Sequence, residues 1–181
     1  MRRLLAAAAV LLLVGCVSDG KQDFGEPVSR TITEAESLIQ FPSTPDIGLR
    51  SIRSEQYPSN YYVEKYAFDG GWAELVRIQK VNYYMRRPAA SDLTGHAKGW
   101  RYRGRPVPAA SLTPQQFGSI VYAVAAIRDE TCVLFRQGVG PQYGGFKAIL
   151  NGMYCEDSDG LNREAFRDRT LDYLRRIKWR N

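Results

Sequence analysis

Histidine is nearly absent from this 181-residue chain: His96 stands alone, and cysteine occurs only at positions 16, 132 and 155. One imidazole is too few to complete a zinc site with two thiols. The catalytic signatures GxSxG, HExxH and CxxC are also missing, as is the GK[ST] that closes a phosphate loop. No residue pattern therefore implies a cofactor or a metal. Long apolar runs are lacking too. The stretch from Leu4 to Gly15 is shorter than the roughly 20 residues needed to span a bilayer. Nor is there a concentrated basic stripe. The formal charge of +6 is spread along the chain, which excludes nucleic acid as the expected partner.

The first sixteen residues are the most ordered pattern present. Arg2 and Arg3 precede an apolar run from Leu4 to Val14, and Leu13-Val14-Gly15-Cys16 follows. A charged start, a short apolar core and a small residue before the cut meet the physical demands of an export signal. Leu13-Val14-Gly15-Cys16 resembles the lipobox of bacterial lipoproteins. That resemblance implies cleavage between residues 15 and 16, a diacylglycerol on the sulfur of Cys16, and often an acylated amine. Two or three chains hold a protein stably on a membrane, where one holds it only reversibly. In that family an Asp directly after the lipidated Cys favours the inner membrane. Val17 stands there, so the outer membrane, on its periplasmic face, is the expected location. Losing Arg2 and Arg3 with the leader leaves 23 basic and 19 acidic residues, a mild +4.

With Cys16 committed to acylation, Cys132 and Cys155 remain in an oxidising compartment, where an even pair bonds. Their disulfide is expected to contribute about 3 kcal/mol by constraining the unfolded chain. Residues 131–137 and 149–155 are both extended in character and are separated by Gly138, Gly140, Pro141, Gly144 and Gly145. A hairpin centred between Tyr143 and Gly144 would set Cys132 opposite Cys155, so register and redox state agree. The glycine-rich stretch reads as a flexible hairpin loop able to contact a partner.

The leader (1–15) is followed by a lipidated tether (16–45), whose residues 18–23 are small and polar, and then by one domain (46–181). Residues 27–40 allow a short helix or an extended segment. Within the domain, residues 60–81 predict a hairpin turning at Asp69-Gly70-Gly71. Ile120-Val121-Tyr122-Ala123-Val124 favours a strand over the helix that Thr113-Pro114 could open. Asn162 and the basic Arg175, Arg176 and Lys178 frame a helix over 162–178. The fold class expected is α+β: an antiparallel sheet of about four to six strands, a C-terminal helix packed on it, and one disulfide.

Residues 86–108 read as a long irregular basic loop. Arg101, Arg103 and Arg105, interleaved with Trp100 and Tyr102, are the candidate contacts for an anionic ligand. Tyr57, Tyr61, Tyr62, Tyr66, Trp72, Tyr83 and Tyr84 suit sheet packing, with a sugar-stacking platform as the alternative. Glu64 and Glu74 are carboxylates of the type glycosidases pair, and His96 lies near Ser91 and Asp92, yet neither set forms a motif. These features favour a non-catalytic, membrane-anchored scaffold or accessory subunit of an envelope protein complex. A module binding cell-wall glycan is the alternative, and an envelope hydrolase is the third reading.

Overall fold

The structure is a computed structural model that describes residues 25–43, 47–80 and 83–180. The leader, Cys16 and residues 17–24 lie outside these. In chain order the elements are β1 (Val28–Ile32), β2 (Ile39–Gln40), β3 (Leu49–Gln56), β4 (Tyr61–Phe68) and β5 (Gly71–Ile78). Then come α1 (Ala90–Ala97), β6 (Arg101–Tyr102), β7 (Arg105–Pro106), β8 (Gln115–Phe117) and β9 (Ile120–Ile127). The long strands β10 (Glu130–Gln142) and β11 (Gly145–Asp157) precede α2 (Arg163–Arg175) and β12 (Lys178–Trp179). None of the described helices is long and apolar enough to cross a membrane.

Eight strands form one sheet in the order β1-β3-β4-β5-β11-β10-β9-β8, with every pairing antiparallel. The sheet is larger than the four to six strands expected, because segments read as tether and loop also pair. β1 adds to β3, and β2 pairs with β12, so residues 28–40 belong to the folded body although they fall within the stretch read as tether. Polar residues at 29–31 concealed this edge strand, whose outer side meets solvent. Both expected hairpins form. β4 and β5 turn at Asp69-Gly70, and β10 and β11 turn at Tyr143-Gly144 with Cys132 opposite Cys155 and disulfide-bonded.

Both faces of the central strands are covered, which explains why Cys132-Val133-Leu134-Phe135 is apolar throughout rather than alternating. On one face Val133, Phe135 and Leu150 share a core with Phe166, Leu171 and Leu174 of α2. On the other, Leu134, Met153 and the disulfide meet Leu93 and Ala97 of α1 and Tyr102 of β6. The irregular loop expected over 86–108 is thus corrected: it holds a helix and a small β6–β7 hairpin that form a layer of the core. Leu93 and Ala97, four apart, supply one apolar helical stripe, and Asp92 accepts from the Ala89 amide at 2.9 Å to cap its start. This pattern is too short to stand out in sequence. The helix opened by Thr113-Pro114 does not form, and Ile120–Ile127 is the expected strand.

α2 begins where expected, with Asn162 accepting from the Glu164 and Ala165 amides. It stops at Arg175, short of 178. Trp179 then pairs with Ile39, and the Arg180 amide donates to the Leu38 carbonyl at 2.8 Å. A fully buried carboxylate holds the other side of this junction. Glu64 accepts from Ser37 Oγ (2.8 Å), the Leu38 amide (3.1 Å) and Tyr62 OH (2.9 Å), and from Tyr66 OH. With hydrogen bonds in place of a counter-charge, it clamps residues 37–38 onto β4. Burial, reinforced by the Glu64 contact, pushes the Tyr62 phenol up to about 12 and raises that of Tyr66 further.

Candidate functional site

The clamp and the β2–β12 pair present Trp179 at the end of the sheet where β10 and β11 turn. The glycines there are seats for rings. A Cβ placed on Gly140 would lie 2.9 Å from Trp179 Cδ2, one on Gly144 would lie 2.9 Å from Tyr84 Cζ, and one on Gly138 would lie 2.4 Å from the Phe146 ring. Gly140 and Gly144 also take positive φ, +64° and +85°. The glycine-rich stretch is therefore paired strand with a two-residue turn, and the flexible loop expected there is corrected. Its glycines are spent on close approach of aromatic rings to backbone.

Around Trp179 opens a cavity of about 790 Å³. Its cations are Arg77, Lys80, Lys147 and Arg180, and its rings are Trp179, Tyr83, Tyr84 and Tyr143. The Arg77 guanidinium and the Lys147 ammonium each sit 5.5 Å from the centre of a Trp179 ring, where the negative π face attracts them. Tyr83 and Tyr84 are about half exposed, and Tyr143 at the hairpin tip is fully exposed. A second cavity beside Trp179, lined by residues 137–142, adds Arg87, Arg175 and Lys178. Among the described residues no carboxylate lines either one. Among the described residues none of Arg77, Lys80, Arg87, Lys178 and Arg180 forms an ion pair. Unneutralised cations beside flat apolar surface favour an anionic ligand that also offers something to stack or wedge against a ring.

The arginines singled out from sequence lie elsewhere. Arg101, Arg103 and Arg105 belong to the β6–β7 hairpin, and none lines the cleft. Arg103 pairs with Glu130 at 3.2 Å and stacks on Tyr102 at 5.2 Å. Glu130 begins β10 and the cleft lies at that strand's other end, so by strand geometry about 40 Å separate them. Among the candidate platform rings, Tyr62 and Tyr66 are committed to Glu64 and Trp72 packs edge-on against Trp100 at 5.1 Å. Tyr83 and Tyr84 alone of that set reach the cleft. Sequence reasoning missed Arg77, Lys80, Lys147, Trp179 and Arg180, which come from three separate segments. The available signal was the terminal Lys178-Trp179-Arg180, basic and aromatic together.

The two carboxylates considered as a glycosidase pair face opposite sides of the sheet. Glu64 sits directly across from Leu75, and Glu74 from Lys65, so the strand pleat sends them apart. Nor do Ser91, Asp92 and His96 assemble a triad. Asp92 is occupied by the Ala89 amide and by Arg86 at 2.7 Å. Glu74 and His96 instead line a smaller cavity of about 320 Å³ with Arg136, Asn151 and Trp100. Burial raises the Glu74 carboxyl above the usual range. Burial also lowers the His96 imidazole, with the Arg136 charge acting in the same direction. Arg136 donates to Asn151 at 2.5 Å, while its Nε is buried with no partner among the described residues.

No protein-family model, curated protein or solved structure matches this chain.

Proposed function

We propose that this is a non-catalytic, membrane-anchored envelope lipoprotein whose domain serves as a binding or accessory subunit, engaging an anionic partner through the cleft around Trp179. The observation that carries this reading is the lining among the described residues: Arg77, Lys80 and Arg180, which form no ion pair there, beside Trp179, Tyr83, Tyr84 and Tyr143. Acylation at Cys16, with Val17 after it, is the proposed means of retention on the periplasmic face of the outer membrane. A non-catalytic role accords with the separation of Glu64 from Glu74 across the sheet and with the commitment of Asp92 to helix capping. The disulfide accords with export.

Binding to dextran sulfate and to neutral dextran of equal length tests the reading. The purified protein is expected to retain the sulfated polymer selectively, and a Lys147→Glu/Arg180→Glu variant to lose most of that selectivity. Equal retention of the two polymers by the unaltered protein would overturn it. Recovery of a stoichiometric protein partner from detergent-solubilised membranes, lost in the same variant, would identify that partner as a protein of an envelope complex. A second reading, binding of cell-wall glycan, draws on the exposed Tyr83, Tyr84 and Tyr143 at the rim, which offer faces on which sugar rings can stack. It predicts sedimentation with purified sacculi that falls when these tyrosines become alanine.

A further inference from the structure

The smaller cavity beside α1 is built on one transverse row of the sheet. Lys65, Glu74, Asn151 and Arg136 stand opposite one another on β4, β5, β11 and β10, so all four project from the same face. The row continues to Val121 of β9, which lies in the core layer that Leu93 and Ala97 of α1 build. His96 and Trp100 mark the margin of that layer, and with Glu74, Asn151 and Arg136 they line the cavity of about 320 Å³. Trp72 and Val76 stand two residues either side of Glu74, so the pleat gives the same face an apolar part. Trp72 meets Trp100 edge-on at 5.1 Å, which holds both rings in place. This cavity shares no lining residue with the two around Trp179.

Its charges are a cation and an acid that do not meet. Arg136 and Glu74 are two strand spacings apart, about 10 Å, and neither forms an ion pair among the described residues. Lys65, on the far side of Glu74, is bound to Glu55 at 2.7 Å, and Asp92, near Arg136, is occupied by Arg86 and the Ala89 amide. Asn151, buried between the two, accepts from Arg136 and so draws the guanidinium toward β5. We infer that this cavity binds a small zwitterion, a free α-amino acid with an apolar side chain, its carboxylate on Arg136 and Asn151, its ammonium on Glu74 and its side chain against Trp72 and Trp100. A guanidinium offers a carboxylate two parallel donors, and a buried Nε without an acceptor is a standing cost that such a ligand relieves. Glu74 opposes a plain anion and Arg136 a plain cation, whereas one small molecule carrying both charges satisfies both. A peptide end keeps only one of those charges on its terminal residue, which favours the free amino acid. Burial lowers the His96 imidazole, with the Arg136 charge acting the same way, so it adds no third charge at neutral pH.

The chain has three tryptophans, so the indole N–H signals of the purified protein in solution NMR test this directly. The probes are leucine, methionine and phenylalanine, each in both enantiomers. At least one is expected to shift the signals of Trp72 and Trp100 and to leave that of Trp179, in the separate cleft, in place. The N-acetyl form of the tightest binder lacks the ammonium and its amide lacks the carboxylate, and each should bind about tenfold more weakly or worse. Glu74→Gln should weaken the free amino acid by a similar factor yet leave the N-acetyl form unaffected, and Arg136→Gln should weaken the free amino acid and spare the amide. An unmoved Trp179 signal reports that each variant is folded, and the comparison of ligands in the unaltered protein needs no variant at all. Indole signals that ignore all six amino acids at millimolar concentration would overturn the site. Equal binding of the free and N-acetyl forms would overturn the pairing with Glu74 and the zwitterion with it. Shifts of Trp179 alone would place the ligand in the cleft and overturn this cavity as its site.

Discussion

The two ends of the sheet use the same residue types to opposite effect. At the disulfide end three cations have an acid beside them: Arg103 meets Glu130 at 3.2 Å, Arg169 meets Glu156 at 2.6 Å, and Arg50 contacts Asp69. At the hairpin-tip end Arg77 and Lys147 flank Trp179 in a cleft that no carboxylate of the described residues lines. Arginine content alone therefore does not locate a binding surface. Pairing cancels the field at one end and leaves it standing at the other, and pairing is settled by which turns come together in space.

Glu64 is the first place to break this contrast. Glu64→Ala should cost about 4 kcal/mol, because it strands the buried donors of Ser37, Leu38, Tyr62 and Tyr66. The denaturation midpoint reads the loss. Trp179 emission should also move toward that of a solvated indole as β2 and β12 separate.

Removing the disulfide acts at the other end. Cys132→Ala/Cys155→Ala should cost about 3 kcal/mol on the loop-entropy account, yet leave polyanion binding at native conditions unchanged. Binding that fell with it would show the two ends to be coupled rather than independent.

Charge reversal in the cleft should matter to ligand and little to stability. Lys147→Glu is expected to weaken anionic binding at least fivefold while shifting the thermal midpoint only slightly.

A smaller effect should appear at Glu74, through pH. Burial raises its carboxyl in the folded state above the ordinary value of 4.5, so the folded protein holds that proton more tightly than the unfolded chain does. Stability is thus lost as pH rises past the unfolded value and through the raised folded one. Glu74→Gln should match the unaltered protein at low pH and exceed it at neutral pH, which paired urea titrations would reveal. Smallest of all, Arg103→Ala removes an exposed ion pair and should change stability by less than about 1 kcal/mol.

Much of the central fold was legible because its signals are local. Asp69-Gly70 marks a two-residue turn between β-rich runs, Tyr143-Gly144 marks another, and the spacing of Cys132 and Cys155 about that turn yields their register. Asn162 marks the start of α2 for the same reason, since a cap acts within three residues. The outer strands were hidden. β1 is polar because it is an edge with one side in water, and β2 and β12 are two residues each, too short for any periodicity to register. α1 was masked by the prolines, glycines and arginines around it. The cleft was the least visible feature, since its residues are drawn from positions 38 to 180 and only strand pairing unites them.

By itself the amino-acid order determined the turns, the cysteine register and the helix cap, because each depends on neighbours a few residues apart or on spacing about a turn. Which cations are neutralised and which remain exposed beside a ring was decided by tertiary structure. Electrostatic fields depend on distance through space, and the eight-stranded sheet brings Glu130 to Arg103 while keeping the described carboxylates out of the lining around Trp179.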